Sequence, residues 1–210
     1  MRIGLASDSH GNLDALERAL EAFARAPVDR VFFLGGRLAD LDAALARRRG
    51  GSRNAPVPET DEEFLGAVRG ALSRAVGAEA DPLQGRILRV ASRACAEYAA
   101  GETVRKQVDL VEGRICCLVH DKAELTRDDI ANASVLFHGN SGNAALVQIG
   151  PRYFVTPGQL RAAAPGGRPA TYGVLEMTVK DLVLEVYSAA GERLREERAT
   201  FAAGGKMAVR

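Results

Sequence analysis

Residues 5–12 read LASDSHGN. The stretch finishes an apolar strand, RIGLAS (2–7), then sets Asp8 and His10 two residues apart with Gly11 and Asn12 behind them. Carboxylate and imidazole side chains at this spacing suit manganese, iron or zinc. Downstream, Leu13, Leu16, Leu20 and Phe23 mark one face of a helix that stops before Pro27. RVFFLG (30–35) reads as a second buried strand. Two short apolar runs joined by a helix predict a right-handed βαβ unit with a parallel pair. Ligands collect at the carboxyl ends of such strands. Asp8 and His10 lie just past one end, and Gly35 and Gly36 just past the next.

Bulk properties frame this reading. The chain has 210 residues, 47% of them apolar and 26% charged, enough for one domain with a sizeable core. A net charge of +1 gives no overall pull toward nucleic acid or membranes. No apolar run approaches a membrane span, and the N-terminus lacks a leader pattern, so a cytoplasmic protein is expected. Cys95, Cys116 and Cys117 are odd in number, and the adjacent pair faces opposite sides of an expected strand. They read as buried small hydrophobes, not a disulfide framework.

The middle of the chain changes character. RRRGGSRNAPVPE (47–59) is basic, then rich in Gly and Pro, and reads as a loop. Two helices are expected to follow as a hairpin over 59–101. Thr60 and Glu63 have capping-box spacing ahead of Phe64, Val68, Leu72 and Val76. Asp81-Pro82 opens the second helix, with Leu83, Ile87, Val90, Ala94 and Tyr98 as its stripe and Gly101 at its end. A homodimer or a protein partner is expected to use this hairpin. Strands then return: KQVDLVEGRICCLVH (106–120) as a hairpin, SVLFHG (134–139), ALVQIG, RYFVT, and TYGVLEMTVKDLVLEVYS as a longer hairpin. The expected fold is an α/β two-sheet sandwich flanked by helices. A single domain over 1–198 carries a loop and hairpin insertion at 47–103, with a flexible tail at 199–210.

Only three histidines exist, His10, His120 and His138, and all fall at or near expected strand ends. With Asp8 they suggest a present or former metal site, whose chemistry would be hydrolysis by a metal-bound hydroxide.

The order of motifs resembles the calcineurin-like metallophosphoesterases, in particular a small bacterial subgroup of predicted phosphodiesterases. IGLASDSHGNLDALERAL matches the family's opening D-x-H-G-N and helix. FFLGG sits where the family has L-G-D, CCLVHD where it has an apolar strand and H-G, VLFHGNSGNA where it has G-H-T-H, and YFVTPGQL where it has N-P-G-S. The resemblance covers residues 1–46 and 104–198 and implies an αββα sandwich.

It also implies a two-metal site, of which this chain retains little. Asp8, His10 and His120 match ligand positions. The bridging aspartate is replaced by Gly36, the two histidines of G-H-T-H by Gly139 and Ser141, and G-N-H-D has no counterpart, the loop and hairpin occupying its place. In-line attack by a metal-bridging hydroxide needs two cations close together. The resemblance therefore implies a degenerate, catalytically impaired member that acts as a binding or scaffold module, as a eukaryotic trafficking subunit of this fold does. Two alternatives remain. One is a weak phosphoesterase with at most one divalent ion (Mn, Fe or Zn) on Asp8, His10 and His120, helped by Asp121, Asn140 or His138. The other is a metal-free sensor of a phosphate-containing small ligand or nucleotide. Arg37, next to the missing aspartate, is expected either to neutralise Asp8 or to point into solvent.

Overall fold

A computed structural model describes residues 1–26, 28–48, 83–92, 103–163 and 167–201. Two mixed sheets pack face to face. The larger has seven strands in the order β12-β11-β10-β1-β2-β3-β4, and the smaller has five in the order β5-β6-β7-β9-β8. The larger sheet contains β1 (Arg2–Ala6), β2 (Arg30–Phe33), β3 (Ile87–Val90), β4 (Thr103–Val104), β10 (Thr171–Met177), β11 (Asp181–Ser188) and β12 (Arg193–Thr200). The smaller contains β5 (Lys106–Val111), β6 (Arg114–Val119), β7 (Val135–His138), β8 (Ala144–Ile149) and β9 (Arg152–Pro157).

Strand alternation decides which layer each side chain joins. Ile3 and Leu5 of β1 face the core between the sheets, together with Phe32, Phe137 and Leu184. Phe32 and Phe137 meet edge to face at 5.3 Å across the two sheets, a geometry worth about 0.5–1.5 kcal/mol beyond area burial. The opposite face of β1 and β2, with Ala6, Val31 and Phe33, is covered by α1 (Leu13–Arg25) and α2 (Leu38–Arg48). Helix α1 buries Leu13, Leu16, Leu20 and Phe23, the stripe expected from its periodicity. A short helix, α3 (Arg127–Asn132), lies near the outer face of the smaller sheet, next to the cluster of Cys117, Val119, Ala133 and Leu136. Cys116 faces the inter-sheet core and Cys117 the opposite side. No described helix is long and apolar enough to cross a membrane.

Four expectations need correction. Ile87–Val90 is a strand parallel to β2, not part of a second hairpin helix. Ile87, placed on that helix's outer stripe, is buried beneath α1 and α2. The second helix of the expected 59–101 hairpin is therefore interrupted by a sheet strand, while the rest of that hairpin, 59–82 and 93–101, lies outside the described residues. Helix α2 occupies a stretch to which the sequence reading assigned no element. The tail does not begin at 199: β12 runs to Thr200 and Phe201 is buried against Tyr153, ring centroids 4.9 Å apart.

On each border of the smaller sheet, side chains engage one backbone amide and one carbonyl. On β5 the Leu110 N–H donates to Asp109 Oδ1 at 2.8 Å, and Gln107 Nε2 donates to the Val108 carbonyl at 3.3 Å. On β8 the Leu146 N–H donates to Glu197 Oε2 at 2.6 Å, while Arg195 of β12 donates to the Ala144 carbonyl.

Candidate functional site

The carboxyl ends of β1, β2, β6 and β7 converge. Asp8 follows β1, Gly35 and Gly36 follow β2, His120 follows β6, and Gly139 and Asn140 follow β7. The β1 and β2 loops are laced together, with Asp8 N–H donating to the Gly35 carbonyl at 2.9 Å. Ser7 Oγ donates to the Gly158 carbonyl, and Asn12 Nδ2 to the Leu160 carbonyl, both at 2.8 Å. The PGQL segment after β9 thus braces the opening loop from below. Asp8, His10 and Asn140 all adopt left-handed backbone, with φ of 53°, 45° and 44°. Non-glycine residues hold that conformation only where the surroundings fix it, and such residues concentrate at functional sites.

Asp8 is almost fully buried, and protein groups take both its oxygens. His120 Nε2 lies 2.9 Å from Oδ1, and the half-exposed His10 places its Nε2 3.5 Å from the same atom. Against an ionised Asp8 the hydrogen of the shorter contact would sit on Nε2 of His120, since a carboxylate only accepts. The Asn140 N–H donates to Oδ2 at 2.7 Å. Asn140 Nδ2 in turn donates to Asp121 Oδ2 at 2.7 Å. The Ala123 N–H holds the Asp121 carboxyl below its usual range; burial opposes it as the next-largest effect, and Asn140 adds to the lowering.

The remaining expected residues, Arg37 and His138, have other partners. Arg37 neither neutralises Asp8 nor stands free in solvent: its Nε faces Asp40 Oδ1 at 3.8 Å. His138 is buried beside the cluster, its Nδ1 3.0 Å from the Gly139 carbonyl, and burial pushes its pKa down. It is Asn140, two residues on, whose N–H reaches Asp8. Ser141 turns its hydroxyl to the Asn143 carbonyl. Asp40 is a site residue that the sequence reading missed. It is fully buried, and its Oδ2 accepts from Ser9 Oγ at 2.7 Å and from the Gly11 N–H at 2.6 Å. It holds the D-x-H-G loop in shape. Oδ1 has no hydrogen-bond partner among the described residues, leaving Arg37 as its compensating charge.

The fit of metal ions follows from this geometry. Gly36, where the bridging carboxylate would stand, has φ of +100°, and a Cβ there would lie 2.8 Å from Asp8 Cα. A Cβ at Gly139 would lie 2.2 Å from the Leu34 carbonyl oxygen. Neither position accepts a ligating side chain without backbone movement. Among the described residues no group of three His, Cys, Asp or Glu side chains is arranged to hold a metal ion. The described residues of the cleft do not by themselves assemble a two-metal centre. After β3 the described residues run on through Ala91 and Ser92 and resume at Thr103.

A family model, the calcineurin-like phosphoesterase superfamily domain, matches residues 1–180. No curated protein matches the chain. Among solved structures, a predicted phosphoesterase from Streptococcus pneumoniae TIGR4 aligns with TM-score 0.59 at 16% identity, covering 95% of this chain and 97% of that one. The phosphoesterase Yfce from E. coli aligns with TM-score 0.58 at 24% identity, covering 94% and 98%. Vps29 from Chaetomium thermophilum aligns with TM-score 0.58 at 15% identity, covering 97% and 99%. At these identities the structural likeness shows the fold. The family match does more: the chain belongs to the calcineurin-like phosphoesterase superfamily.

Proposed function

We propose that this chain is a cytoplasmic, catalytically impaired member of its superfamily that works as a binding or scaffold module. The observation that carries the reading is the cleft at positions 36 and 139, where glycine replaces a ligand and the backbone leaves no room for one. Two-metal hydrolysis depends on a pair of cations that polarise the phosphoryl group and lower the pKa of the attacking water. A chain lacking the shared carboxylate has lost the means to hold that pair. The charge of the cleft favours a scaffold role over a phosphate sensor. Asp8 and Asp121 lie at or beneath it, and Asp121 is held ionised, so a phosphate-bearing ligand would meet like charge.

The test is metal content and turnover. Protein grown with manganese and zinc available is expected to carry substoichiometric metal and to hydrolyse an aryl phosphodiester barely above background with added manganese. Two tightly bound ions per chain by elemental analysis, or robust turnover abolished by His10→Ala, would overturn the reading.

A further inference from the structure

We infer that Asp8 is the keystone of a protein-only clamp that ties the two sheets together across the cleft, using direct hydrogen bonds and no cation. Asp8 belongs to the larger sheet, whereas its partners His120 and Asn140 belong to the smaller one, 112 and 132 residues away. One carboxylate thus spans the sandwich: Oδ1 to the His120 ring, Oδ2 to the Asn140 backbone. No other charged group from the smaller sheet reaches Asp8 in a described ion pair.

Three glycines make the approach possible. The His120 ring lies where a side chain at Gly35 would be, its Cδ2 only 2.2 Å from the ideal Cβ position. The backbone of Asp8 fills the same space at Gly36. At Gly139 the Leu34 carbonyl fills it, and Asp8 Oδ2 stands 3.1 Å away. A side chain at any of the three would push Asp8 away from a partner. The left-handed backbone of Asp8 and Asn140 fits this account, since both residues hold a costly conformation at the two ends of one short hydrogen bond. The glycines at 36 and 139 are therefore part of this contact, and placing one carboxylate there does not by itself create a metal pocket. The clamp shares its geometry with the function proposed above but does not require any binding role.

The experiment is a double-mutant cycle on the full chain, Asp8→Ala and His120→Ala singly and together, by urea unfolding after chelation and again with Mn2+ or Zn2+. Each single variant is expected to raise the unfolding constant roughly ten- to hundredfold. The double variant should fall short of the product of the two by at least about fivefold, with or without metal. Multiplicative effects would overturn the clamp. So would a metal-induced rise in the wild-type midpoint that disappears in Asp8→Ala, because those oxygens would then be ligands. Should Asp8→Ala fail to fold, hydrogen exchange of the wild-type Asn140 amide decides. The Asn140 N–H points at the buried Asp8 Oδ2, so slowing by about a hundredfold over an unstructured amide in chelator is expected, and exchange at the free rate refutes the clamp. Gly36→Asp should gain no stoichiometric metal; acquiring it would show an open pocket. Additive variants without hydrolysis would remove the clamp and leave the proposed function standing. Coupled variants with metal-dependent hydrolysis would do the reverse.

Discussion

Replacing Asp40 with alanine tests whether the D-x-H-G loop is held from beneath. The substitution deletes one fully buried carboxylate and orphans two donors, the Ser9 hydroxyl and the Gly11 N–H, at 2.7 and 2.6 Å. Ser9 is itself fully buried. Each orphaned donor costs about 1–3 kcal/mol. One effect reduces the sum and another adds little to it. Removing the carboxylate also removes the desolvation cost of Oδ1, which has no hydrogen bond among the described residues. The Arg37 contact at 3.8 Å is long and its guanidinium partly exposed, so its loss costs little. The expected net loss is about 2–4 kcal/mol, or roughly 5–15 °C in Tm for a chain of this size. Asp40→Asn keeps one oxygen with two lone pairs where both donors point, and should cost about 1 kcal/mol or less. Urea unfolding followed by circular dichroism measures both variants. An alanine variant within about 0.5 kcal/mol of the parent, or an asparagine variant as damaged as the alanine one, would refute the argument.

Two further outcomes follow from groups outside the loop. Burial pushes the Cys116 thiol up to about 12, so site-resolved alkylation at pH 8 should be negligible in the native protein and complete in urea; native labelling as fast as a free thiol would show the inter-sheet core to be open. Burial lowers the pKa of His138 from 6.5, so its neutral ring contributes stability that is present above that value and is lost as pH falls through the depressed folded value. Between pH 7 and 5 the urea midpoint of His138→Gln should therefore fall less steeply than the parent's, and parallel slopes would contradict the assignment.

Much of the framework is legible in the chain because local pattern and tertiary role coincide. Leu13, Leu16, Leu20 and Phe23 carry a helical period and are all buried on one face. Lys106–Val119 reads as a hairpin because Glu112-Gly113 separates two strand-like runs, and the structure pairs Val111 with Arg114. The stretch at 83–90 misleads for a physical reason. A parallel strand is short and covered on both faces, so Leu83, Ile87 and Val90 fit a helical spacing as well as a strand. Strand β12 is illegible for the opposite reason: RLREERAT has no apolar alternation and extends only because β11 offers it a ladder. In the site, the motif order brings Asp8 and His120 together on the page, but nothing local marks Asp40, whose role depends on how α2 is set against the loop after β1. The destination of Arg37 is hidden for the same reason, since the ion pair described for it is with Asp40.

The capped borders of the smaller sheet bear on how this protein behaves when crowded. Strand-by-strand polymerisation starts where a rim exposes bare amides and carbonyls. Here the apolar surface of Val108 and Leu110 sits on such a rim, yet the adjoining amide and carbonyl are engaged by Asp109 and Gln107. On the far rim Glu197 and Arg195 do the same from another strand. The two guards differ in reach. Asp109 and Gln107 belong to the strand they protect and stay with it when it frays. Glu197 and Arg195 leave with β12, so peeling the last strand uncovers both β11 and β8 at once, making the C-terminal strand the gate through which fibre growth would begin.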